Sequence, residues 1–272
     1  LTNNGKYFLG DGCVKLPKLG SPPVDAVQNF GVPVFWGTTD AQKVDSLFRE
    51  TISYLTPGIH VADNFLTWCR NNSMLDDPEF VRAWESNCLD RSDRAVVWRR
   101  YILATSAYHC VQLEGDFVEC GCYRGIGVKT VVDYLGGTEF PKTFWGYDLF
   151  VHDENEVHEA MAGHGADLYD QVLNRFNGYD QVKIIKGRIP EVFEGQSPDK
   201  IAYLHIDLNQ APAEIAALEA LFDRVVPGGM IILDDYEWAI YRAQKLAEDN
   251  WFEARNYRVM PLPTGQGLIT KR

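Results

Sequence analysis

The sequence predicts an α/β fold: a mainly parallel sheet with helices on both faces, preceded by an N-terminal helical extension. Three observations carry this. From Asp116 onward, short apolar runs alternate with stretches of helical apolar spacing. The first of these runs enters a glycine-rich turn that opens a helix, and ligands of such sheets sit at the carboxyl ends of the strands. Of the 272 residues, 46% are hydrophobic and 12% aromatic, which is enough apolar material to offset the entropy of ordering one large domain or two small ones.

The elements follow in order. Residues 1 to about 37 are punctuated by Gly5, Gly10, Gly12, Gly20 and Gly31 with Pro17, Pro22, Pro23 and Pro33, and read as an irregular arm. Val44, Leu47, Phe48, Thr51 and Leu55 keep helical spacing until Thr56-Pro57-Gly58 stops them. Phe65, Leu66 and Cys69 mark a second, weaker helical stretch. In the third, Asp77 caps the N-terminus, Pro78 fits the first turn, and Phe80, Val81, Trp84 and Cys88 share a face. A longer helix is expected from about residue 94 to 112. Strands are expected at 117–120, 144–149, 182–186, 201–207 and 230–233. Helices lie between them, carried by Val128, Val131, Val132 and Leu135, by Leu168, Val172 and Phe176, and by Ile215, Leu218 and Phe222 behind Pro212. Another helix covers 239–247. Residues 258–262 and 267–270 flank Pro263-Thr264-Gly265-Gln266 as a terminal hairpin. No internal repeat is present.

Charge narrows the partners. Lys and Arg total 26 against 38 Asp and Glu, a net charge of −12, so neither nucleic acid nor an anionic membrane surface is an expected partner. No apolar run approaches the ~18 residues of a membrane span. The opening residues lack the apolar core of a signal peptide, and the six cysteines contain no C-x-x-C pair. Reduced thiols in a cytoplasmic setting are therefore expected.

The most informative run is Phe117-Val118-Glu119-Cys120-Gly121-Cys122-Tyr123-Arg124-Gly125-Ile126-Gly127. Gly121 and Gly125 let a ligand approach the backbone, and the following helix offers its N–H groups. The spacing G-x-x-x-G-x-G differs from the dinucleotide pattern, and Tyr123 stands where a pyrophosphate would need glycine. Glu119 beside the loop repels phosphate but suits a cationic or hydroxyl-bearing ligand. S-adenosylmethionine is such a ligand: it has an ammonium, a sulfonium and a ribose, and no phosphate. Asp148, ending the second strand, is placed to take ribose hydroxyls. The tight turn Lys186-Gly187-Arg188-Ile189-Pro190 follows the third strand, where an adenine edge could meet backbone.

The fourth strand ends His205-Ile206-Asp207-Leu208-Asn209 and the fifth Leu233-Asp234-Asp235-Tyr236. In a parallel sheet these ends are neighbours, so Asp207, Asp234 and Asp235 can converge. Three clustered carboxylates repel one another unless a cation is present, and a hard divalent ion, Mg²⁺ first, resolves the conflict. His205, two residues before Asp207, leaves the strand on the same face and is a general base, a metal neighbour or hydrogen-bonded structure. His152, His158 and His164 fall in a polar segment that can act as a flap; as spread histidines they are read as surface residues rather than ligands.

Together these residues resemble the class I S-adenosylmethionine-dependent methyltransferases, and more narrowly the macrocin O-methyltransferase family, which methylates sugar hydroxyls. The resemblance rests on Gly115–Gly125, Gly146-Tyr147-Asp148, Lys186-Gly187, Ile206-Asp207, Pro227-Gly228-Gly229 and Asp234-Asp235-Tyr236. It covers about residues 91–272, and the first 90 residues lie outside it as an arm with helices, expected to form an acceptor lid or an oligomer contact. The resemblance implies a Rossmann-like, doubly wound, seven-stranded sheet whose last strand is antiparallel. It implies donor binding by Glu119, Gly121, Tyr123, Arg124 and Gly125, with Asp148 at the ribose and Gly187 and Arg188 near the adenine. Mg²⁺ is then held by Asp207, Asp234 and Asp235. The expected acceptor is a hydroxyl of a small molecule or sugar, in a homodimer or larger homo-oligomer. One departure stands out: the family's second acidic residue, two positions after Asp207, is here Asn209, whose amide takes no proton at neutral pH. With Asp207 and His205 as the candidate catalytic residues, either His205 or another residue is the base, or the metal alone acidifies the acceptor, or the acceptor differs from the family's sugars. Two rival readings remain, a nicotinamide-dependent oxidoreductase, disfavoured by Tyr123, and a non-catalytic module that binds the donor, suggested by Asn209.

Overall fold

The computed structural model describes residues 29–153 and 157–272, together with the backbone of two short strands, Lys6–Leu9 and Gly12–Lys15. Those two strands pair antiparallel. With Phe30–Gly31, they replace part of the expected irregular arm, because glycines that break a helical period still permit short strands. The rest of the arm up to residue 28 lies outside the described residues. Two compact units divide within the helix Val97–Cys110, at Ile102 and Leu103.

In the unit that ends at Ile102, the expected helix at Ala41–Ile52 is present, capped by Asp40, whose carboxylate accepts the Lys43 N–H at 2.9 Å. Asp77 accepts the Phe80 N–H at 3.1 Å and opens Pro78–Asn87 as the sequence predicts. The weak helix expected around Phe65 is instead a strand, Phe65–Thr67, antiparallel to His60–Ala62. Asp63 and Asn64, at φ of 53° and 55°, make the two-residue turn whose left-handed backbone Asp and Asn tolerate. The long helix is interrupted at Val96, leaving Arg91–Ala95 and Val97–Cys110; Asp90 and Asp93 form a capping box on the first piece. His60 is stacked on Phe30 and edge-on to Trp98, with ring centroids 5.6 and 5.1 Å away. Burial lowers its pKa to about 4, so it is a neutral core ring.

The other unit carries a seven-stranded sheet. Its strands are β1 (Asp116–Cys120), β2 (Phe144–Asp148), β3 (Val182–Lys186), β4 (Ile201–Ile206), β5 (Val225–Leu233), β6 (Met260–Pro261) and β7 (Gly267–Thr270). The spatial order is β6-β7-β5-β4-β1-β2-β3. β5, β4, β1, β2 and β3 are parallel to their neighbours, while β7 is antiparallel to both β5 and β6. This is the doubly wound, Rossmann-like arrangement expected. Its main helices are α1 (Ile126–Tyr134), α2 (Leu168–Arg175), α3 (Ala211–Leu221) and α4 (Arg242–Glu253).

Alternation along the central strands sorts the core. Val118 and Cys120 of β1 and Leu204 and Ile206 of β4 point to one face, where they pack with Leu218, Phe222 and Phe252. Phe117 and Tyr203 point to the other, with ring centroids 5.1 Å apart and Phe140 and Phe144 beside them. β5 begins five residues earlier than expected and carries a register irregularity between Val225 and Met230, at the Pro227-Gly228-Gly229 break. Among the described residues, no helix is long and apolar enough to cross a membrane.

Candidate active site

The strand register builds the site. Glu119 of β1 pairs with His205 of β4, and His205 pairs with Ile232 of β5. In each strand the residue two positions further on leaves on the same face: Gly121, Asp207 and Asp234. Backbone bonds carry the ladder past the strand ends, from Asp207 N–H to the Cys120 carbonyl at 2.8 Å and from Asp234 N–H to the Ile206 carbonyl at 3.0 Å. Glu119, His205, Asp207 and Asp234 therefore converge at one carboxyl edge. The ligand-type atoms of His205, Asp207 and Asp234 lie within 4.8 Å of one another. Asp235 is buried in the following turn and lies outside that group.

His205 is wholly buried, and its two ring nitrogens face two acids. Nδ1 is 3.0 Å from Glu119 Oε2 and Nε2 is 3.4 Å from Asp234 Oδ1. These are ion-pair distances without the alignment of hydrogen bonds. Burial works against a charged ring, but the two carboxylates outweigh it and raise the pKa to about 10. His205 is thus an imidazolium that separates two acids. Asp207 is half-buried, and the Asn209 amide donates to its Oδ1 at 3.3 Å.

The glycine loop sits directly on this edge. Gly121 has a φ of +88°, and a Cβ there would lie 1.8 Å from the Asp207 carbonyl oxygen. Its N–H donates to the Tyr147 carbonyl at 2.7 Å. Tyr123 has a φ of +44°, and its N–H donates to Asp148 Oδ2 at 2.7 Å. The Phe150 N–H donates to the other Asp148 oxygen, so the expected ribose ligand also fastens the loop to β2. Gly187 N–H reaches the Asp148 carbonyl at 3.0 Å, which brings the third-strand turn alongside. Gly125 approaches α2 closely, where a Cβ would lie 2.8 Å from the Phe176 ring. The Arg124 guanidinium stands over the Tyr123 ring at 5.3 Å.

The segment after β2 reaches the same loop. The Tyr123 hydroxyl accepts the Gly163 N–H at 2.7 Å, and the Tyr123 ring is edge-on to His164 at 5.0 Å. Arg188, expected near an adenine, is exposed and ion-paired with buried Asp153 at 2.9 Å. The three histidines of this segment are less spread than the sequence suggests. His152 lies 6.0 Å from His158 and 5.8 Å from His164, centroid to centroid.

Sequence reasoning missed two features. The first is Gln266, completely buried, whose Nε2 donates to Asp234 Oδ1 at 2.7 Å. Only its place between Gly265 and Gly267, in a turn too short to expose every side chain, could have drawn attention to it. The second is a pair of buried acids beneath the edge, Glu214 on α3 and Glu248 on α4, neither with any exposed surface. Glu214 Oε1 accepts the Leu208 N–H at 2.7 Å. Burial, reinforced for Glu214 by Glu248 and for Glu248 by Asp249, raises both: Glu214 well above the usual carboxylate range and Glu248 to about 8. Folding therefore tightens proton binding at this pair. For Glu248 the stabilising effect is complete below a pH of about 4.5 and is lost as pH rises through about 8. Thermal unfolding should show stability falling between pH 5 and pH 8 by on the order of 3 kcal/mol. Glu248→Gln should flatten that fall, and an unchanged pH profile in this variant would show the pair to be ionised as usual.

A model of the macrocin-O-methyltransferase (TylF) family matches residues 104–258. A similar curated protein is the 8-demethyl-8-(2,3-dimethoxy-alpha-L-rhamnosyl)-tetracenomycin-C 4'-O-methyltransferase of Streptomyces olivaceus. It is 30% identical over an alignment of 141 residues that covers 45% of this chain and 53% of that one, so the chain spans about half the length of the relative. The O-methyltransferase NovP shares the fold with a TM-score of 0.55 at 19% identity, over 64% of this chain and 80% of its own. CalS11, a calicheamicin methyltransferase, does so with a TM-score of 0.52 at 13% identity, over 71% of this chain and 91% of its own. The family match spans more than half of the chain and takes in β1 to β5 with the loops just described. The chain belongs to the macrocin-O-methyltransferase family, within the class I S-adenosylmethionine-dependent methyltransferases.

Proposed function

We propose that this protein transfers the methyl group of S-adenosylmethionine to a hydroxyl of a small molecule or sugar, with a divalent cation, Mg²⁺ first, at the acidic edge. The observation that carries the reading is the convergence of Asp207 and Asp234 beside the glycine loop. Two carboxylates at a half-buried edge suit Mg²⁺, which commonly takes one or two protein carboxylates and keeps several waters. Asp207 and Asp234 are the ligands, with Asp235 next in the turn. His205, with one ring nitrogen facing Glu119 and the other facing Asp234, holds these two acids at fixed separation. When bound, the cation supplies charge stabilisation at the developing acceptor oxyanion.

The chain's own residues then position the reactants. Gly121, Tyr123, Arg124 and Gly125 bring backbone against the donor, with Asp148 at the ribose and Gly187 and Arg188 at the adenine. Glu119 lies beneath the loop and supports it through His205. In the transfer the methyl–sulfur bond breaks, sulfur keeps the electron pair as a thioether, and the acceptor oxygen bonds the methyl group. That oxygen loses its proton to solvent water at the half-buried edge. Holding donor and acceptor in line supplies most of the acceleration. The activity of the similar rhamnosyl-tetracenomycin 4'-O-methyltransferase supports a sugar hydroxyl as acceptor.

Isothermal calorimetry with S-adenosylmethionine should show micromolar binding. Turnover on a panel of glycosylated hydroxyl acceptors should stop with a chelator and return with Mg²⁺. No donor binding at millimolar concentration would remove the cofactor assignment, and chelator-insensitive turnover would remove the cation.

A further inference from the structure

Asp234 does not stand alone at the edge. The terminal hairpin delivers Gln266 to it from β7's entry. Gln266 Nε2 donates to Asp234 Oδ1 at 2.7 Å, and the Thr264 hydroxyl donates to Gln266 Oε1 at 3.0 Å. Both side chains are buried. The carboxylate accepts only, so the amide nitrogen must face Asp234, and the Thr264 hydroxyl locks the amide in that sense. The turn carrying both residues is itself clamped. Leu262 N–H reaches the Gln266 carbonyl at 2.8 Å, and Glu237 N–H reaches the Gly265 carbonyl at 2.8 Å. Gly265, at a φ of +91°, lies so close under Trp238 that a Cβ would sit 2.4 Å from its Nε1. The hairpin is thereby tied to the Asp234–Trp238 turn at backbone and side-chain level.

A buried glutamine is a costly way to fill space, because its amide must be desolvated and paired. Here both ends of the amide are paired, one of them to a charged acid that already has His205 beside the same oxygen. The Gln266 amide is the aligned donor that holds the plane of the carboxylate, with His205 3.4 Å from the same oxygen. We propose that Gln266, oriented by Thr264, is the positioning residue that sets the Asp234 carboxylate for cation binding. This rests on the cation reading above.

The test measures cation binding directly, with Mn²⁺ as the probe, by electron paramagnetic resonance titration of the whole chain. Binding of S-adenosylhomocysteine, measured by calorimetry, reports an intact donor site. Gln266→Met keeps the volume and removes the donor; Thr264→Val keeps the shape and removes the lock. Gln266→Met is expected to weaken Mn²⁺ by about 10-fold or more, in line with the loss of a partner that orients a metal ligand. Thr264→Val should weaken it several-fold, Thr264→Ser should recover the parental affinity, and S-adenosylhomocysteine should bind each variant within twofold of the parent. If Gln266→Met fails to fold, Thr264→Val decides alone. Parental Mn²⁺ affinity in Gln266→Met, or in Thr264→Val where it decides alone, overturns the positioning role while the cation site stands. A parent that binds no Mn²⁺ at millimolar concentration overturns the cation site, and the positioning role with it.

Discussion

Gly121→Ala is expected to abolish donor binding and to destabilise the sheet unit by about 2–5 kcal/mol. The methyl group would arrive 1.8 Å from the Asp207 carbonyl oxygen and 2.7 Å from its carbonyl carbon. These are backbone atoms of a central strand end, which no rotamer change can move aside. The φ of +88° adds the cost of a left-handed L-residue. To relieve the clash, β1 and β4 must part where Asp207 N–H bonds the Cys120 carbonyl at 2.8 Å. The loss should therefore appear in two measurements together, a lower unfolding midpoint and calorimetric silence with S-adenosylmethionine. A Gly121→Ala protein with parental stability and donor affinity would show that the loop and β4 are not in contact as described.

Asp234→Ala and Asp207→Ala address the chemistry rather than the frame. Each should lower kcat by about 10²–10³-fold, the scale of losing several kcal/mol of charge stabilisation at the reacting oxygen, while donor affinity stays near parental. The two differ in stability. Asp234→Ala strands the buried Gln266 amide and removes one of the two acids that balance His205, a cost of about 1–3 kcal/mol. Asp207 is half-buried and its Oδ1 accepts from the Asn209 amide at 3.3 Å; being less buried than Asp234, it should cost less stability when replaced by alanine. Steady-state rates with a saturating acceptor are the readout. Rates within tenfold of the parent in both variants would make the acids structural.

Much of this was legible in the sequence because β-strand alternation and the carboxyl-end rule are local. Once Phe117–Gly121, residues 201–207 and Leu233–Asp235 are read as neighbouring strand ends, Glu119, His205, Asp207 and Asp234 fall on one edge. The Asp148 turn was equally accessible, while the antiparallel course of the last strand came from the family resemblance. What stayed hidden depends on long-range geometry. Phe65 looked helical because three apolar residues fit either period, and only the left-handed Asp63–Asn64 pair decides for a hairpin. Gln266 and the Glu214–Glu248 pair are polar residues in the core. Their meaning comes from partners far away in sequence, which no local pattern announces. His205 was legible as a neighbour of the acids; the sequence could not show that acids flank both of its nitrogens.

The flanked histidine also has a consequence for assembly. Glu119 and His205 belong to strands separated by two whole strand–helix crossovers, and Asp234 meets Gln266 only after the hairpin doubles back. Contacts so distant in sequence form late and slowly. Until β4 docks between β1 and β5, Glu119 and Asp234 lack the cation that separates them, and each is better solvated than buried. The acidic edge should thus be the last part of the sheet to dehydrate during refolding. Amides at the ends of β1, β4 and β5 should gain hydrogen-exchange protection after those in the apolar middle of the same strands.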